Sequence, residues 1–373
     1  MRIVVAPDSF KGSIGAAAAA AALAGGWRAA RAADELSCIP LADGGEGTLD
    51  VLAAAQAAAT GRAAAGQAVR WRQATVSGPG RTAVAACWLE LPGRTAVVEL
   101  ARASGLPLLA GPDPLGAHTT GTGELIGRAL DAGAAQIVLA LGGSASTDGG
   151  TGALTALGAR FLDAAGNRLP PGGGALASLA SADLSGLRPT PPGGVTCLTD
   201  VTAPLLGPTG AAAVFGPQKG AGPRQVTALE AGLAALARQL GGDPAAPGAG
   251  AAGGTGYGFA AAWGAVIVPG AAEISRITGL DAALAGASLV ITGEGRYDRT
   301  STAGKVTGAV LAAAGVAGVP AALVAGSIAA GLPAGRWQRA VSLTDLAGST
   351  AAARQDPARW LGQAGRLLAA DWA

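Results

Sequence analysis

A short apolar run that ends in glycine and small polar residues recurs along the chain. Residues 137–152 show it most clearly, because five apolar positions lead into two glycine pairs that flank Ser144, Ser146 and Asp148. Apolar runs of this kind are typical of buried parallel strands. Similar runs occupy residues 2–6, 36–41, 195–199, 288–292, 321–325 and 339–343. Helical stretches follow several of them, so the pattern predicts βα units of an α/β protein.

Alanine-rich and amphipathic stretches predict the helices, at residues 16–31, 49–59, 121–132, 225–240 and 306–314. The first is expected to break at Gly25 and Gly26 and to have Ser13 as its N-cap. Tracts rich in glycine, alanine and proline predict loops and turns, at residues 166–194, 211–222 and the first half of 241–258. The second half of the last tract either continues the loop or forms a wall of backbone around a ligand.

Residues 69–100 change the pattern to alternation interrupted by short turns. Such alternation predicts an antiparallel meander and the start of a second domain. Both chain ends keep the βα pattern. We therefore predict a discontinuous Rossmann-like domain from residues 1–66 and 285–373, and an inserted α/β domain with a mixed sheet from residues 67–284.

Composition and charge exclude several classes of protein. No apolar stretch reaches the roughly 20 residues of a membrane span without glycines or charges, and the first apolar run is too short for a secretory signal. Cys38, Cys87 and Cys197 are too far apart to indicate a zinc site or a disulfide framework. A net charge of +2 without a basic run does not indicate nucleic-acid binding. We predict a cytoplasmic protein that binds neither membranes nor nucleic acid.

Lysine is rare in this chain, which makes its positions informative. Only Lys11, Lys219 and Lys305 occur among 26 basic residues, and each lies in a turn that contains glycine. Lysine is a compact point charge and a common phosphate ligand. The three lysines are therefore candidates for binding an anion.

Several familiar site types do not fit the sequence. Gly304 and Lys305 lack the earlier glycine of a Walker A motif, since Arg299 stands there. Neither a GxSxG elbow nor an HExxH motif occurs, and His118 is the single histidine. No GxGxxG motif follows a strand with a suitable acidic partner, so a dinucleotide site is weakly supported.

The remaining candidates are carboxylates at predicted strand ends, namely Asp8, Asp43, Glu46, Asp148, Asp200, Glu294 and Asp298. Phosphoryl transfer uses carboxylates for Mg²⁺ and for the acceptor hydroxyl, and backbone amides and lysines for phosphates. Two alternatives stay open. Asp43 and Asp148 precede predicted helices and could be caps, and the turn at 142–150 could connect strand and helix without binding a ligand.

Motifs along most of the chain resemble those of the glycerate kinase family of the bacterial type I (glycerate 2-kinase) kind. The resemblance rests on MRIVVAPDSFKGS, PLADGGEGT, GTGELI, LGGSASTDGG, LTDVTAPLLG, VFGPQKGA, AAGGTGYG and LVITGEGRYD, in this order. It implies ATP-dependent phosphorylation of D-glycerate with Mg²⁺, most often to 2-phosphoglycerate. It also implies two α/β domains with the active site in the cleft between them. Thr147 and Ala203 stand where the family usually has asparagine, and Gly12 where an acidic residue is common.

With this resemblance, the candidate residues divide into four groups. The expected substrate ligands are Asp8, Ser9, Phe10, Asp43, Gly44, Gly45 and Glu46, with Lys11 on the carboxylate of glycerate. The expected catalytic residues are Asp200, Lys11 and Asp298. Asp200 is the first choice for the group that orients the acceptor hydroxyl, and Asp298 is the second. The expected phosphate ligands are Gly142, Gly143, Ser144, Ser146, Asp148, Lys219 and Lys305. Glu294 and Asp200 are the candidate Mg²⁺ ligands.

Three questions stay open at this point. The acceptor is D-glycerate or a related small hydroxy acid, and a protein that binds a metabolite without turnover is a further alternative. The turn at 142–150 holds either ATP, which we favour, or glycerate. A homodimer and a monomer are both compatible with the sequence.

Overall fold

A computed structural model describes residues 1–60, 69–80, 82–301, 305–330 and 336–372. The strands are β1 (Arg2–Val5), β2 (Glu35–Cys38), β3 (Arg70–Ser77), β4 (Ala83–Leu91), β5 (Thr95–Glu99), β6 (Gln136–Ala140), β7 (Arg160–Leu162), β8 (Ser181–Asp183), β9 (Val195–Leu198), β10 (Val266–Val268), β11 (Leu289–Tyr297), β12 (Ala321–Ile328) and β13 (Arg339–Ser342). The α-helices are α1 (Ala16–Ala30), α2 (Thr48–Thr60), α3 (Ala101–Ser104), α4 (Thr120–Asp131), α5 (Thr151–Ala156), α6 (Ala211–Phe215), α7 (Pro223–Leu240), α8 (Ala251–Trp263), α9 (Gly270–Thr278), α10 (Leu280–Leu284), α11 (Val306–Ala317), α12 (Leu343–Ala347), α13 (Thr350–Gln355) and α14 (Pro357–Asp371).

The chain forms two compact units. Unit 1 comprises residues 1–43, 50–62 and 270–373, and unit 2 comprises residues 44–49 and 63–269. The domain boundary predicted at residues 66 and 67 lies outside the described residues. The domain limits drawn from the sequence stay a prediction.

Unit 1 is built on a parallel sheet of five strands in the order β13-β12-β11-β1-β2. Strand β1 pairs with β11 through Ile3 and Leu289, so strands from distant parts of the chain lie side by side. The buried β-branched residues of β1 and β11 explain this central position, because both faces of such a sheet are covered. The predicted α/β fold class is confirmed.

Helices α1 and α14 cover part of this sheet and approach each other closely at glycines. A Cβ atom on Gly26 would lie 1.9 Å from the carbonyl oxygen of Gly362, and one on Gly365 would lie 2.2 Å from that of Leu23. Trp27 lies fully buried in the same core. The predicted break at Gly25 and Gly26 is therefore wrong, since the pair lets two helix backbones pack together inside a continuous helix.

Unit 2 contains a mixed sheet of six strands in the order β10-β9-β6-β5-β4-β3. Strands β3, β4 and β5 are antiparallel neighbours, as the meander predicted. Strand β5 then pairs in parallel with β6, and β6 with β9. This arrangement brings the ends of β6 and β9 to the same edge of the sheet, where the glycine-rich turn at 142–150 begins.

Several predicted loops contain regular structure. Residues 166–194 hold β8 and a 3₁₀ helix at Gly173–Ser178, and residues 211–222 hold α6 and a 3₁₀ helix at Pro217–Lys219. The glycine tract at 241–258 runs into α8. The predicted N-cap Ser13 is also wrong, because Gly15 occupies that position without a side-chain hydrogen bond.

The start of α8 has an unusual backbone that explains its glycines. Ala252, Gly253 and Gly254 have φ values of 51°, 64° and 88°. A Cβ atom on Gly253 would lie 2.1 Å from the carbonyl oxygen of Ser146. Glycine is favoured there by both its conformation and the close approach of the neighbouring turn.

Other helices were not predicted, and one strand is longer than the sequence predicted. Strand β11 continues through Glu294 to Tyr297, where the sequence predicted a turn, and helices α9, α10, α12, α13 and α14 were not predicted. Within the described ranges, every helix is too short or too polar to cross a membrane.

Candidate functional site

Unit 1 contains a pocket of about 500 Å³ at the carboxyl ends of β1, β11 and β12, and most of its lining residues are polar or charged. Ligands of parallel sheets bind at this edge. Eight of the predicted residues line the pocket. One is Phe10, which is 2% exposed and packs in the core of the unit, and the other seven are polar or charged. The seven are Asp8, Ser9, Lys11, Asp43, Glu294, Asp298 and Lys305.

Asp8 is a buried carboxyl group at the bottom of this arrangement. The backbone N–H of Asp8 donates to the carbonyl oxygen of Gly293 at 2.8 Å, which fixes the turn against β11. Burial, and next the charge of Asp43, raise the pKa of Asp8 to about 7, although Ser9 N–H and Lys11 oppose the shift.

The Nζ atom of Lys11 lies 3.7 Å from a carboxylate oxygen of Asp43. Asp43 and, secondarily, Asp8 raise the pKa of Lys11, so this lysine is charged at neutral pH.

Glu294 and Asp298 have different environments in the same pocket. Burial raises the pKa of Glu294, although the hydroxyl of Thr307 donates to its carboxylate at 2.7 Å. The carboxylate of Asp298 accepts hydrogen bonds from the N–H and the hydroxyl of Thr300, and these bonds lower its pKa. Asp298 therefore stabilises the turn that follows β11. Lys305 donates to Thr300 at 3.0 Å, and residues 302–304 of its turn lie outside the described residues.

The donor set of the pocket can be compared with the needs of Mg²⁺. Within the parts of the chain that the structure describes, no group of three His, Cys, Asp or Glu side chains is placed to hold a metal ion. Mg²⁺ bound with a nucleotide needs only one or two carboxylates besides phosphates and water. Glu294 fits that requirement, while the second candidate, Asp200, belongs to unit 2.

The predicted residues of unit 2 gather around the turn after β6. The N–H of Gly142 donates to the carbonyl oxygen of Gly44 at 3.1 Å. A Cβ atom on Gly142 would lie 2.4 Å from the Cα atom of Gly45. Gly44, Gly45 and Gly142 therefore let two backbone segments of unit 2 touch. Glu46 is exposed beside them, and Asp200 lies partly buried after β9.

Asp148 organises the start of α5. One oxygen of its carboxylate accepts hydrogen bonds from the N–H and hydroxyl of Thr119 and from the N–H of Gly152, and the other accepts the N–H of Gly150. The side chain is fully buried. The N–H groups expected to bind an anion at this helix start thus donate to Asp148, in agreement with the capping alternative.

Lys219 is a buried ammonium group beside the same turn. It is 3% exposed, and its Nζ atom donates to the hydroxyl of Ser144 at 2.8 Å and to the carbonyl oxygen of Ser146. Burial lowers the pKa of Lys219 to about 8, although the charge of Asp148 opposes the shift. In the described residues, the buried hydroxyls of Ser146 and Thr147 have no hydrogen-bond partner. A cation with unpaired buried hydroxyls is a setting in which a polar ligand is expected.

Sequence reasoning missed some residues of both units. Arg296, Thr344, Thr350 and Arg354 also line the pocket of unit 1. Thr344, Thr350 and Arg354 lie on the short helices α12 and α13, after the last recognised motif. No glycine-rich turn lies beside them, so the sequence contained no signal for their role. In unit 2, the role of Thr119 was missed because it lies 29 positions from Asp148 in sequence.

Comparisons with known proteins agree with this picture. The model of the glycerate kinase family matches residues 3–373. The chain is 42% identical to the glycerate 2-kinase of Escherichia coli over 82% of this chain and 80% of that protein. It is also 42% identical to the glycerate kinase of Bacillus subtilis, over 88% and 85% of the two chains. A crystal structure from Salmonella typhimurium LT2 that is assigned to glycerate kinase 2 has a TM-score of 0.82 and 39% identity, over 100% and 98% of the two chains.

Proposed function

Because this chain belongs to the glycerate kinase family, we propose that it transfers the γ-phosphoryl group of ATP to the 2-hydroxyl of D-glycerate. The products are then ADP and 2-phosphoglycerate. The name of the Escherichia coli relative, glycerate 2-kinase, supports the 2-position over the 3-position.

The observation that carries the proposal is the grouping of Lys11 with Asp8 and Asp43 in the pocket of unit 1. D-Glycerate has one carboxylate and two hydroxyls. The ammonium group of Lys11 binds the carboxylate, since its charge is secured by two neighbouring acids. Carboxylate oxygens of Asp8 and Asp43 accept hydrogen bonds from the hydroxyls of the substrate, and Ser9 completes the set.

The reaction forms one bond and breaks another at the γ-phosphorus. The oxygen of the 2-hydroxyl bonds to phosphorus, the bond to the bridging oxygen of ADP breaks, and the hydroxyl proton passes to a base. Asp200 is our candidate for orienting this hydroxyl. Asp298 is less suited, because its carboxylate already accepts two hydrogen bonds that lower its pKa.

The phosphates of ATP are assigned to the turn of unit 2 and to two lysines. Ser144 and Ser146 offer hydroxyls there, Gly142 and Gly143 allow close approach, and Lys219 supplies buried positive charge. Lys305 supplies charge in unit 1. Glu294 is the candidate carboxylate for Mg²⁺, which supplies charge neutralisation of the phosphates when it is bound.

The product and one variant test this proposal. Purified protein incubated with ATP, Mg²⁺ and D-glycerate should give the ³¹P signal of 2-phosphoglycerate, and a signal of 3-phosphoglycerate would contradict the regiochemistry. Profiling other small hydroxy acids identifies the preferred acceptor. We expect Lys11→Met to raise the KM for D-glycerate at least about tenfold while the protein stays folded. An unchanged kcat/KM would refute the role of Lys11.

A further inference from the structure

Arg354 lies on α13 and lines the pocket of unit 1, although the sequence predicted no role for it. Helix α13 begins with a side-chain cap, since the hydroxyl of Ser349 accepts the N–H of Ala352. Ala353 is buried in the core of the unit. The cap and the buried Ala353 therefore fix the helix backbone from which the Arg354 side chain extends.

The guanidinium group of Arg354 lies directly beside the turn that carries Lys11. A Cβ atom on Gly12 would lie 3.1 Å from the Nη2 atom of Arg354, and Gly12 has a φ of 73°. A side chain at position 12 would thus meet the guanidinium group. An acidic side chain there would pair with it, so glycine leaves the group available to a ligand.

The other cations of the pocket already have partners. Lys11 lies 3.7 Å from Asp43, and Arg296 lies 3.7 Å from Asp298. Lys305 donates to Thr300 at 3.0 Å. Arg354 differs from them, because no described residue forms an ion pair or a side-chain hydrogen bond with its guanidinium group.

We propose that Arg354 binds the carboxylate of the acceptor substrate together with Lys11, and so selects acids over neutral polyols. The planar fork of a guanidinium group matches a carboxylate in a bidentate manner, while the ammonium group of Lys11 adds a point charge. The two cations offset the acids of the same pocket, Asp8, Asp43, Glu294 and Asp298, which would otherwise repel an anionic substrate. This inference rests on the proposed function, because it takes D-glycerate as the acceptor.

Arg354→Gln tests the inference with a side chain that keeps polarity and loses charge. We expect the KM for D-glycerate to rise about 10- to 100-fold, the loss expected for a charge-assisted contact, while the KM for ATP changes less than about twofold. Glyceramide, the neutral amide of the same acid, should inhibit the variant and the wild type with equal strength. The matched control is Arg366→Gln, at an exposed position on α14 that does not line the pocket. Equal KM values for D-glycerate in wild type and Arg354→Gln would overturn the inference.

A second pair of variants separates charge from structure. Asp and Asn tolerate the backbone of Gly12 better than other side chains and differ only in charge. Gly12→Asp should weaken D-glycerate binding at least about tenfold more than Gly12→Asn, because the carboxylate pairs with Arg354. Equal effects of the two would contradict the inference.

Calorimetric titration with D-glycerate distinguishes the two proposals. A wild type that binds D-glycerate but releases no ADP would refute the kinase reaction, and the loss of binding in Arg354→Gln would still support this inference. A wild type that does not bind D-glycerate at all would overturn both.

Discussion

The ammonium group of Lys219 donates a hydrogen bond of 2.8 Å to the hydroxyl of Ser144 inside unit 2. An ammonium group cannot accept a hydrogen bond, so the oxygen of Ser144 is the acceptor and its own proton points elsewhere. Ser144 is thereby oriented as a donor. The buried lysine therefore orients a hydroxyl of the turn at 142–150 and also supplies a positive charge beside it.

The burial of Lys219 predicts a pH-dependent stability. The pKa of this group is about 8 in the folded protein and 10.5 in the unfolded chain. The unfolded state therefore binds more protons between these values, and the free energy of unfolding rises with pH in that window. The cost of the buried charge is fully present below pH 8 and is relieved above it.

Comparison with Lys219→Met isolates this contribution from all other titrations. Between pH 7 and pH 9.5, the stability of the wild type relative to the variant should rise by about 2 kcal/mol, measured by urea unfolding at each pH. If the free energy of unfolding of the two proteins changed with pH in parallel, burial would not lower the pKa of Lys219.

Asp148→Asn should destabilise the protein by roughly 2–4 kcal/mol. The carboxylate accepts hydrogen bonds from Thr119, Gly150 and Gly152 while fully buried. An amide has only one acceptor oxygen, so its NH₂ group would face a donor. Urea unfolding of the variant measures the loss.

The control for this variant is Asp163→Asn. Asp163 also accepts backbone N–H groups, from Ala165 and Asn167, but it lies in an exposed turn where water replaces lost hydrogen bonds. Asp163→Asn should therefore lower the free energy of unfolding much less than Asp148→Asn does. If both variants had the same effect, the network around Asp148 would contribute little to stability.

The neighbouring glycines of α1 should respond in opposite directions to alanine. Gly25 faces open space, so Gly25→Ala should stabilise the protein by about 0.5–1 kcal/mol through helix propensity. Gly26 faces the backbone of Gly362, whose carbonyl oxygen would lie 1.9 Å from an added Cβ atom, so Gly26→Ala should cost about 2–3 kcal/mol. Thermal unfolding of the two single variants compares them, and shifts of the same sign would contradict the helix contact.

Most strands of the two larger sheets could be predicted because their signal is local, whereas the short strands β7, β8 and β10 were not predicted. The β-branched run of β1 and the alternation of β3 and β4 specify a buried parallel strand and a half-exposed antiparallel pair. The glycine pair of α1 was misread and the role of the glycines of α8 was left open, because these glycines pack against distant backbone, at Gly362 for one helix and at Ser146 for the other. Such contacts leave no trace in the local pattern.

The candidate site was predictable where its residues lie in or after an apolar run that ends in glycines, or where a rare lysine marks them. Asp8 follows β1 and Glu294 lies in the second half of β11, both close to glycines, and the structure brings both to one pocket. Arg354 comes from a helix near the chain end, and only the fold reveals its approach to Gly12. The partners of Asp148 were equally hidden, since Thr119 reaches it across a long stretch of sequence.

The pairing of β1 with β11 has a consequence for protein synthesis. The six-stranded sheet of unit 2 uses only residues between Arg70 and Val268, so all its strands have been translated before Leu289 is added. Strand β1, made first, has its neighbour β11 only after that point. All strands of the sheet of unit 2 are thus synthesised before the sheet of unit 1 is complete. Strand β1 can pair with β2 early, but its other edge has no neighbour until β11 is made.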